Sequence, residues 1–332
     1  MSFHIIHLLS PSLRVRLELE QLHIHDKEKG TERSVPLGDI AVIVCATPLA
    51  SFTAAALRQM AERNVLLLLC DEKFQPAALT VPYYHATSNE LLRSQVKWTP
   101  EWKERMWREV VTAKVRNQAA VLGPWPRIRD ALLEMARRCA ENGAGDEENA
   151  GPPPLLSKVT LSRRHLFRRN TPDAHESRAA RLYWHRMIPA MNPAERGRQQ
   201  GTRQGVNGML DYGYAVVRTA VLRSLAVHGF IAALGIHHAM RAGGQPLADD
   251  LMEPLRPFLD AALLEHLNGG GVPGEIKAWV PKAAGVLTAT VRMAGAKVRL
   301  LNAIDLYVQS FATASQRPQT APPLRIPVLV SP

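Results

Sequence analysis

The sequence has few cysteines, and they are far apart. Cys45, Cys70 and Cys139 are the only three in 332 residues. An odd number without close spacing argues against a disulfide framework and against a zinc finger. Cys45 and Cys70 end apolar runs, so we expect both to be buried small hydrophobic residues.

Long apolar segments are also missing. No run approaches the roughly 20 residues that a membrane-spanning helix needs, and the N-terminus lacks the basic and apolar pattern of a signal peptide. We therefore expect a cytoplasmic protein that has no membrane partner.

The motifs of several large enzyme classes do not occur. The sequence contains no P-loop, no G-x-S-x-G and no G-x-G-x-x-G after a strand. It also lacks H-E-x-x-H, the spacing typical of zinc peptidases. Nucleotide hydrolysis, serine hydrolysis, dinucleotide redox chemistry and zinc chemistry therefore find no support.

Positive charge is in excess and unevenly distributed. The formal net charge is +11, and residues 163–203 hold ten arginines, no lysine and three acids. The planar fork of arginine binds two phosphate oxygens at once. This composition favours a nucleic-acid partner, although a surface charged only for solubility stays open as an alternative.

The N-terminal part shows strand patterns. Residues 13–19 alternate Leu or Val with Arg or Glu, and residues 40–45 and 65–70 are short apolar runs of strand length. Between those runs, Ser51 is predicted to cap a helix that ends near Arg63.

From about residue 88 the apolar period changes to that of helices. Thr99 and Pro100 open a predicted helix that lasts to Leu122, and a second covers residues 127–141. Residues 142–154 are rich in acids, glycine and proline, which is typical of a loop or linker. Further helices are predicted near Pro172, Gly208, Ala248, Ala278 and Ala294.

These patterns predict an α+β fold in two domains and a tail. A β-rich N-terminal domain covers residues 1–85, and a larger all-helical C-terminal domain covers residues 86–315. Residues 316–332 hold five prolines and are expected to form an extended or disordered tail.

A cluster of acids next to a predicted helix start suggests a cation site. Asp249, Asp250 and Glu253 lie close together, and His238 lies twelve residues before Asp250. A helix N-terminus favours negative charge, but neighbouring carboxylates repel one another, and a bound cation would relieve that repulsion. Carboxylates with one imidazole suit Mg²⁺ or Mn²⁺. Alternatively, the acids are helix caps and the histidine is a core residue.

A further acid, Glu176, stands at the start of a predicted helix in HESRAARLYW, where a lone glutamate is usually only a dipole-compensating charge. Together with VNGMLDYGYAVV, GIHHA, DLMEPLRP, PLASFTAAALRQMAERN and VLLLLCDEKFQP, this segment resembles the CRISPR-adaptation integrase family, most closely its type II branch. The resemblance covers about residues 1–315.

The resemblance implies a site and a set of DNA contacts. Glu176, His238 and Glu253 would hold the metal, with Asp250 as a second, catalytic acid that orients a water or a ligand. The arginines expected to contact DNA phosphates, on the basis of their charge, are Arg163, Arg164, Arg168, Arg169, Arg178 and Arg256. Arg256 has an alternative role as an ion-pair partner of the acids.

The resemblance also implies a reaction and partners. A DNA 3′-hydroxyl would attack a phosphate of the CRISPR repeat and so insert spacer DNA, and endonuclease activity would accompany this transesterification. Double-stranded DNA would be bound both as spacer precursor and as repeat. A homodimer formed through the N-terminal domain, and a heterohexamer with the small second Cas adaptation protein, are implied as well.

Two other functions stay open at this point. A general metal-dependent nuclease of branched DNA could use the same ligands, because water can attack in place of a 3′-hydroxyl. A non-catalytic nucleic-acid-binding scaffold would use the acids only as helix caps.

Overall fold

The computed structural model describes residues 4–71, 76–80, 89–141, 171–202, 204–239 and 244–329. The segment 142–170 lies outside the described residues, and so do four of the predicted DNA-contacting arginines: Arg163, Arg164, Arg168 and Arg169.

The first 80 residues form two four-stranded sheets. The first follows the order β1 (His4–Leu8), β5 (Ile40–Cys45), β7 (Leu66–Cys70) and β8 (Pro76–Thr80), with β1, β5 and β7 parallel and β8 antiparallel. The second follows the order β4 (Thr31–Pro36), β3 (Gln21–Asp26), β2 (Leu13–Glu18) and β6 (Ser51–Phe52).

Strand β5 is apolar throughout because it is buried on both faces. Ile43 and Cys45 pack into a small core shared with the second sheet. Val42 and Val44 face the other way, into the large core of the helical part. The first sheet therefore joins the N-terminal strands to the helices through one continuous apolar interface.

Helix α1 (Ala54–Glu62) is capped by Thr53, whose hydroxyl accepts a hydrogen bond from the N–H of Ala56 at 3.2 Å. The prediction that Ser51 caps this helix was wrong. Ser51 belongs to β6, and its hydroxyl donates to the carbonyl of Leu13 in β2. Strand pairing thus occupies Ser51, and the helix begins two residues later.

The C-terminal part is mostly helical. Helix α3 begins at Pro100, and the hydroxyl of Thr99 accepts from the N–H of Trp102, as the sequence predicts. The helices are α2 (Asn89–Val96), α3 (Pro100–Val121), α4 (Pro126–Ala140), α5 (Pro172–Met191), α6 (Gly205–His228), α7 (Pro246–Met252), α8 (Arg256–Asn268), α9 (Ile276–Gly285) and α10 (Leu300–Gln316).

The prediction that this part is all-helical was wrong, and the helix expected near Ala294 begins later, at Leu300. Strands β9 (Thr290–Met293) and β10 (Ala296–Arg299) form an antiparallel hairpin. Its two-residue turn has positive φ at Ala294 and Gly295, 46° and 84°, which suits a tight hairpin. Apolar residues alternate along β9, so one of its faces is buried.

The described part of the proline-rich tail packs back onto the helical part. The N–H of Leu324 donates to Glu109 of α3 at 2.6 Å, and Val328 forms an antiparallel bridge with Arg292 of β9. Across the described ranges, none of the helices combines the length and the apolar character that a bilayer crossing requires.

Candidate metal centre

Helix α3 presents three large polar side chains on one face, Trp107, Lys114 and Asn117, and all three are buried. They are spaced seven and three residues apart, which places them along one side of a helix. Trp107 contacts Asp173 and His237, Lys114 contacts Glu176 and Glu253, and Asn117 contacts Pro254, so α3 supports the candidate site.

Two carboxylates meet at one ammonium group. The Nζ atom of Lys114 lies 2.5 Å from Oε1 of Glu176 and 2.5 Å from Oε2 of Glu253. Glu176 lies near the start of α5, whereas Glu253 opens a short 3₁₀ helix, Glu253–Leu255, between α7 and α8. Tertiary packing thus brings two acids that are distant in sequence to one cation.

Glu253 is buried and ionised. Its side chain is 4% exposed, and its Oε1 lies 2.8 Å from a guanidinium nitrogen of Arg256. Burial raises the pKa of Glu253, but the positive charges of Arg256 and Lys114 outweigh it and hold the pKa below its usual value. The guanidinium of Arg256 also lies 4.9 Å from the ring centre of Tyr214. This arrangement supports the ion-pair role of Arg256.

The same balance fixes the charge of Lys114. Burial opposes its positive charge, yet the carboxylates of Glu253 and Glu176 raise its pKa above the usual value. The lysine is therefore an ammonium ion between two carboxylates.

Asp250 organises the loop that carries His238. Its carboxylate is fully buried and accepts hydrogen bonds from the backbone N–H groups of Ile236 at 2.7 Å, His237 at 3.0 Å and His238 at 3.0 Å. It also lies 2.6 Å from Nδ1 of His238. With Nδ1 bonded to Asp250, the other ring nitrogen of His238 is left for a ligand. This geometry favours the orienting role of Asp250.

The loop approaches Asp250 so closely that residue 235 must be glycine. A Cβ atom on Gly235 would lie 2.7 Å from Oδ2 of Asp250 and 2.9 Å from Cβ of Pro246. The backbone of residues 235–238 therefore packs closely around the carboxylate of Asp250.

The two adjacent histidines have different surroundings. The ring of His237 stacks on Trp107, with ring centres 4.1 Å apart, and the Nε1–H of Trp107 donates to Asp173 at 2.8 Å. His238 meets the edge of the same indole at 5.9 Å. Its pKa is raised, first by the hydrogen bond to Asp250 and further by the charge of Glu253.

Within the described part of the chain, no three His, Cys, Asp or Glu side chains lie close enough to hold a metal ion in this arrangement. Oε1 of Glu176 and Oε2 of Glu253 are nevertheless at most 5.0 Å apart, because each lies 2.5 Å from the same nitrogen. Oε2 of Glu253 is buried and faces the ammonium of Lys114. Two carboxylates around a cation, with an imidazole nearby, form a donor set that fits Mg²⁺ or Mn²⁺.

The sequence prediction missed Lys114, Trp107 and Asn117. Their common signal is spacing alone: three polar or amphipathic side chains on the same helix face as the apolar residues of α3. Of the described arginines predicted to contact DNA, Arg178 lies on α5, where burial and then the charge of Arg138 lower its pKa.

Comparisons with known proteins identify the family of this chain. The family model described as CRISPR associated protein Cas1 matches residues 6–278. The CRISPR-associated endonuclease Cas1 of Neisseria meningitidis serogroup C (strain 8013) is 28% identical over 319 residues, which cover 95% of this chain and 93% of the relative.

Solved structures share the fold. A casposase bound to its integration product has a TM-score of 0.75 at 18% identity, over 96% of this chain and 92% of the other. A chain of a Cas6-RT-Cas1–Cas2 complex has a TM-score of 0.68 at 15% identity, over 98% of this chain and 36% of the other. With the family model matching most of its length, the chain belongs to the Cas1 family of CRISPR-associated proteins.

Proposed function

We propose that this protein is a CRISPR adaptation integrase with DNA endonuclease activity. It would join the 3′-hydroxyl ends of spacer DNA to the CRISPR repeat by metal-dependent transesterification. The observation that carries the proposal is the convergence of Glu176 and Glu253 on one buried cation, beside a histidine that Asp250 holds in place. Membership of the Cas1 family supports it.

Glu176, Glu253 and His238 would hold Mg²⁺ or Mn²⁺. A divalent ion there lowers the pKa of an attacking hydroxyl and neutralises charge that gathers at the phosphate. The protein's own groups prepare the site. Arg256 keeps Glu253 ionised, and Asp250 fixes the ring of His238.

The substitution Glu253→Gln tests the site, because it removes one charge and keeps the side-chain shape. We expect strand joining to fall at least about 100-fold, since even groups that only support a ligand account for about 10- to 100-fold. Mn²⁺ binding, followed by calorimetry, should weaken in parallel while DNA affinity is retained. Glu265→Gln is the matched control, because Glu265 is exposed on α8.

The assay uses duplex DNA with a labelled 3′ end and a supercoiled plasmid that carries the repeat. Label joined to the plasmid identifies an integrase, whereas plasmid cleavage without joining identifies a nuclease of branched DNA. Binding of DNA with neither product would identify a scaffold. Joining that persists in Glu253→Gln would exclude this metal site.

Finer features belong to the same proposal. The arginines, including Arg178, would grip DNA phosphates with salt-sensitive affinity. A homodimer through the N-terminal strands, a heterohexamer with the small second Cas protein and a cytoplasmic location would complete the assembly. The assignment to the type II-like branch stays a prediction, as do the domain limits 1–85, 86–315 and 316–332.

A further inference from the structure

Lys114 lies where two acids converge, and its surroundings leave it little contact with solvent. Its side chain is 9% exposed, and its ammonium nitrogen lies 2.5 Å from an oxygen of each carboxylate. Lysine is rarely buried in this way unless its charge is paired. The pairing here uses both of the carboxylates assigned to the metal.

Without this lysine, the buried carboxylate of Glu253 and the partly exposed carboxylate of Glu176 would face each other with no ammonium between them. Arg256 neutralises Glu253 from the other side, at Oε1. Removing one partner of a buried ion pair leaves an uncompensated charge in a region of low dielectric, which is strongly destabilising. The ammonium therefore keeps the two carboxylates together.

We propose that Lys114 is an internal substitute for the divalent cation, which holds Glu176 and Glu253 together in the metal-free protein and leaves the space between them when the ion binds. This inference rests on the proposed function. The space between the oxygens is at most 5.0 Å wide, too narrow for a second cation beside the ammonium. Binding of the ion and departure of the ammonium are thus one exchange.

The architecture allows the exchange to be confined to one side chain. Lysine has a flexible four-carbon stem, whereas Asn117, one turn further along α3, donates its amide to the carbonyl of Pro254 at 2.8 Å. Glu253 precedes Pro254, so its backbone stays anchored to α3 while the ammonium of Lys114 moves away.

Two variants test the proposal through metal binding and stability. Lys114→Met keeps the apolar stem and removes the charge, and Lys277→Met, at an exposed position on α9, is the matched control. In EDTA we expect Lys114→Met to unfold several degrees below the wild type, with saturating Mn²⁺ closing most of that gap. Its Mn²⁺ dissociation constant should fall by about 5- to 150-fold, the usual size of a coupling between two competing events.

Unchanged or weaker Mn²⁺ binding by Lys114→Met would overturn the proposal, as would an unfolding temperature in EDTA equal to that of the wild type. If Lys114→Met does not fold, Lys114→Arg decides. Its guanidinium binds carboxylates in pairs and is harder to displace, so Mn²⁺ should bind more weakly than to the wild type, and equal binding would refute the exchange.

Different results would refute the proposed function and this inference. The proposed function fails if the wild type binds no Mn²⁺, or if Glu253→Gln binds Mn²⁺ as the wild type does. Wild-type binding that Glu253→Gln abolishes and Lys114→Met leaves unaltered would reject the exchange alone.

Discussion

Asp250 is the residue on which the histidine loop depends, and Asp250→Asn measures that dependence. Oδ2 of Asp250 accepts hydrogen bonds from the backbone N–H groups of Ile236 and His237. Oδ1 of Asp250 accepts a hydrogen bond from the backbone N–H of His238 and also lies against Nδ1 of the same residue. An asparagine has one acceptor oxygen, so its NH₂ group faces two donors whichever way the amide is turned.

The expected loss follows from those contacts. Each hydrogen bond to a charged group contributes about 1.5–3 kcal/mol, so two lost bonds destabilise the fold by about 3–6 kcal/mol. The carboxylate is fully buried, and no discount for solvent applies. Because His238 loses its fixed orientation, Mn²⁺ affinity should fall by about 10- to 100-fold.

Urea unfolding and Mn²⁺ calorimetry provide the two readouts. Asp249→Asn is the matched control, since Asp249 is the neighbouring residue, is 33% exposed and pairs with Arg218. A partly exposed ion pair contributes about 0–1 kcal/mol. If Asp250→Asn and Asp249→Asn lost equal stability, or if Asp250→Asn bound Mn²⁺ as tightly as the wild type, the orienting role would be refuted.

Two further predictions concern groups behind the site. Burial raises the pKa of Asp260 to about 6. In the folded protein Asp260 therefore holds a proton that the unfolded chain releases near pH 4. This contributes about 3 kcal/mol to the free energy of unfolding below pH 4, and that contribution is lost as the pH rises through 6. Between pH 4.5 and pH 7, the free energy of unfolding should fall less for Asp260→Asn than for the wild type. Parallel pH profiles of the two proteins would contradict this. Asn117→Ala removes hydrogen bonds to the carbonyls of Pro254 and Pro327 and from the N–H of Leu329. At about 1 kcal/mol each, their loss should destabilise the protein by about 3 kcal/mol and expose the tail to protease, whereas wild-type cleavage rates would argue against anchoring by Asn117.

Much of the fold was predictable because it follows local rules. Alternation predicted strand β2, apolar runs of strand length predicted β5 and β7, and Thr99 with Pro100 marked the start of α3. In each case neighbouring residues carry both the cause and the signal, since a cap or a period of two acts over a few positions.

The errors arose where strand pairing replaced a locally predicted helix start. Ser51 has a side chain that can cap a helix, but it lies in β6 and pairs with β2. The segment around Ala294 is rich in helix-compatible residues, yet the positive φ at Ala294 and Gly295 makes it a hairpin turn that packs near α10. No local rule predicts which partner a short segment finds.

The candidate site divides in the same way. A separation of twelve residues was sufficient to associate His238 with Asp250, and the carboxylate does hold the imidazole. The binding of a metal by Glu176, His238 and Glu253 stays a prediction. Taken by itself, Lys114 gave no signal, because a lysine in a helix is ordinarily interpreted as a solvent-exposed charge.

Residue order was thus enough for the α+β class and for the family resemblance, because these depend on residue types and short spacings. It could not reveal that Lys114 bridges Glu176 and Glu253, or that the tail is fastened to α3 by Asn117. Those contacts join segments separated by 62 to 212 residues. Their geometry exists only once the helices have packed around one core, because burial is what turns a solvated lysine into a paired internal cation.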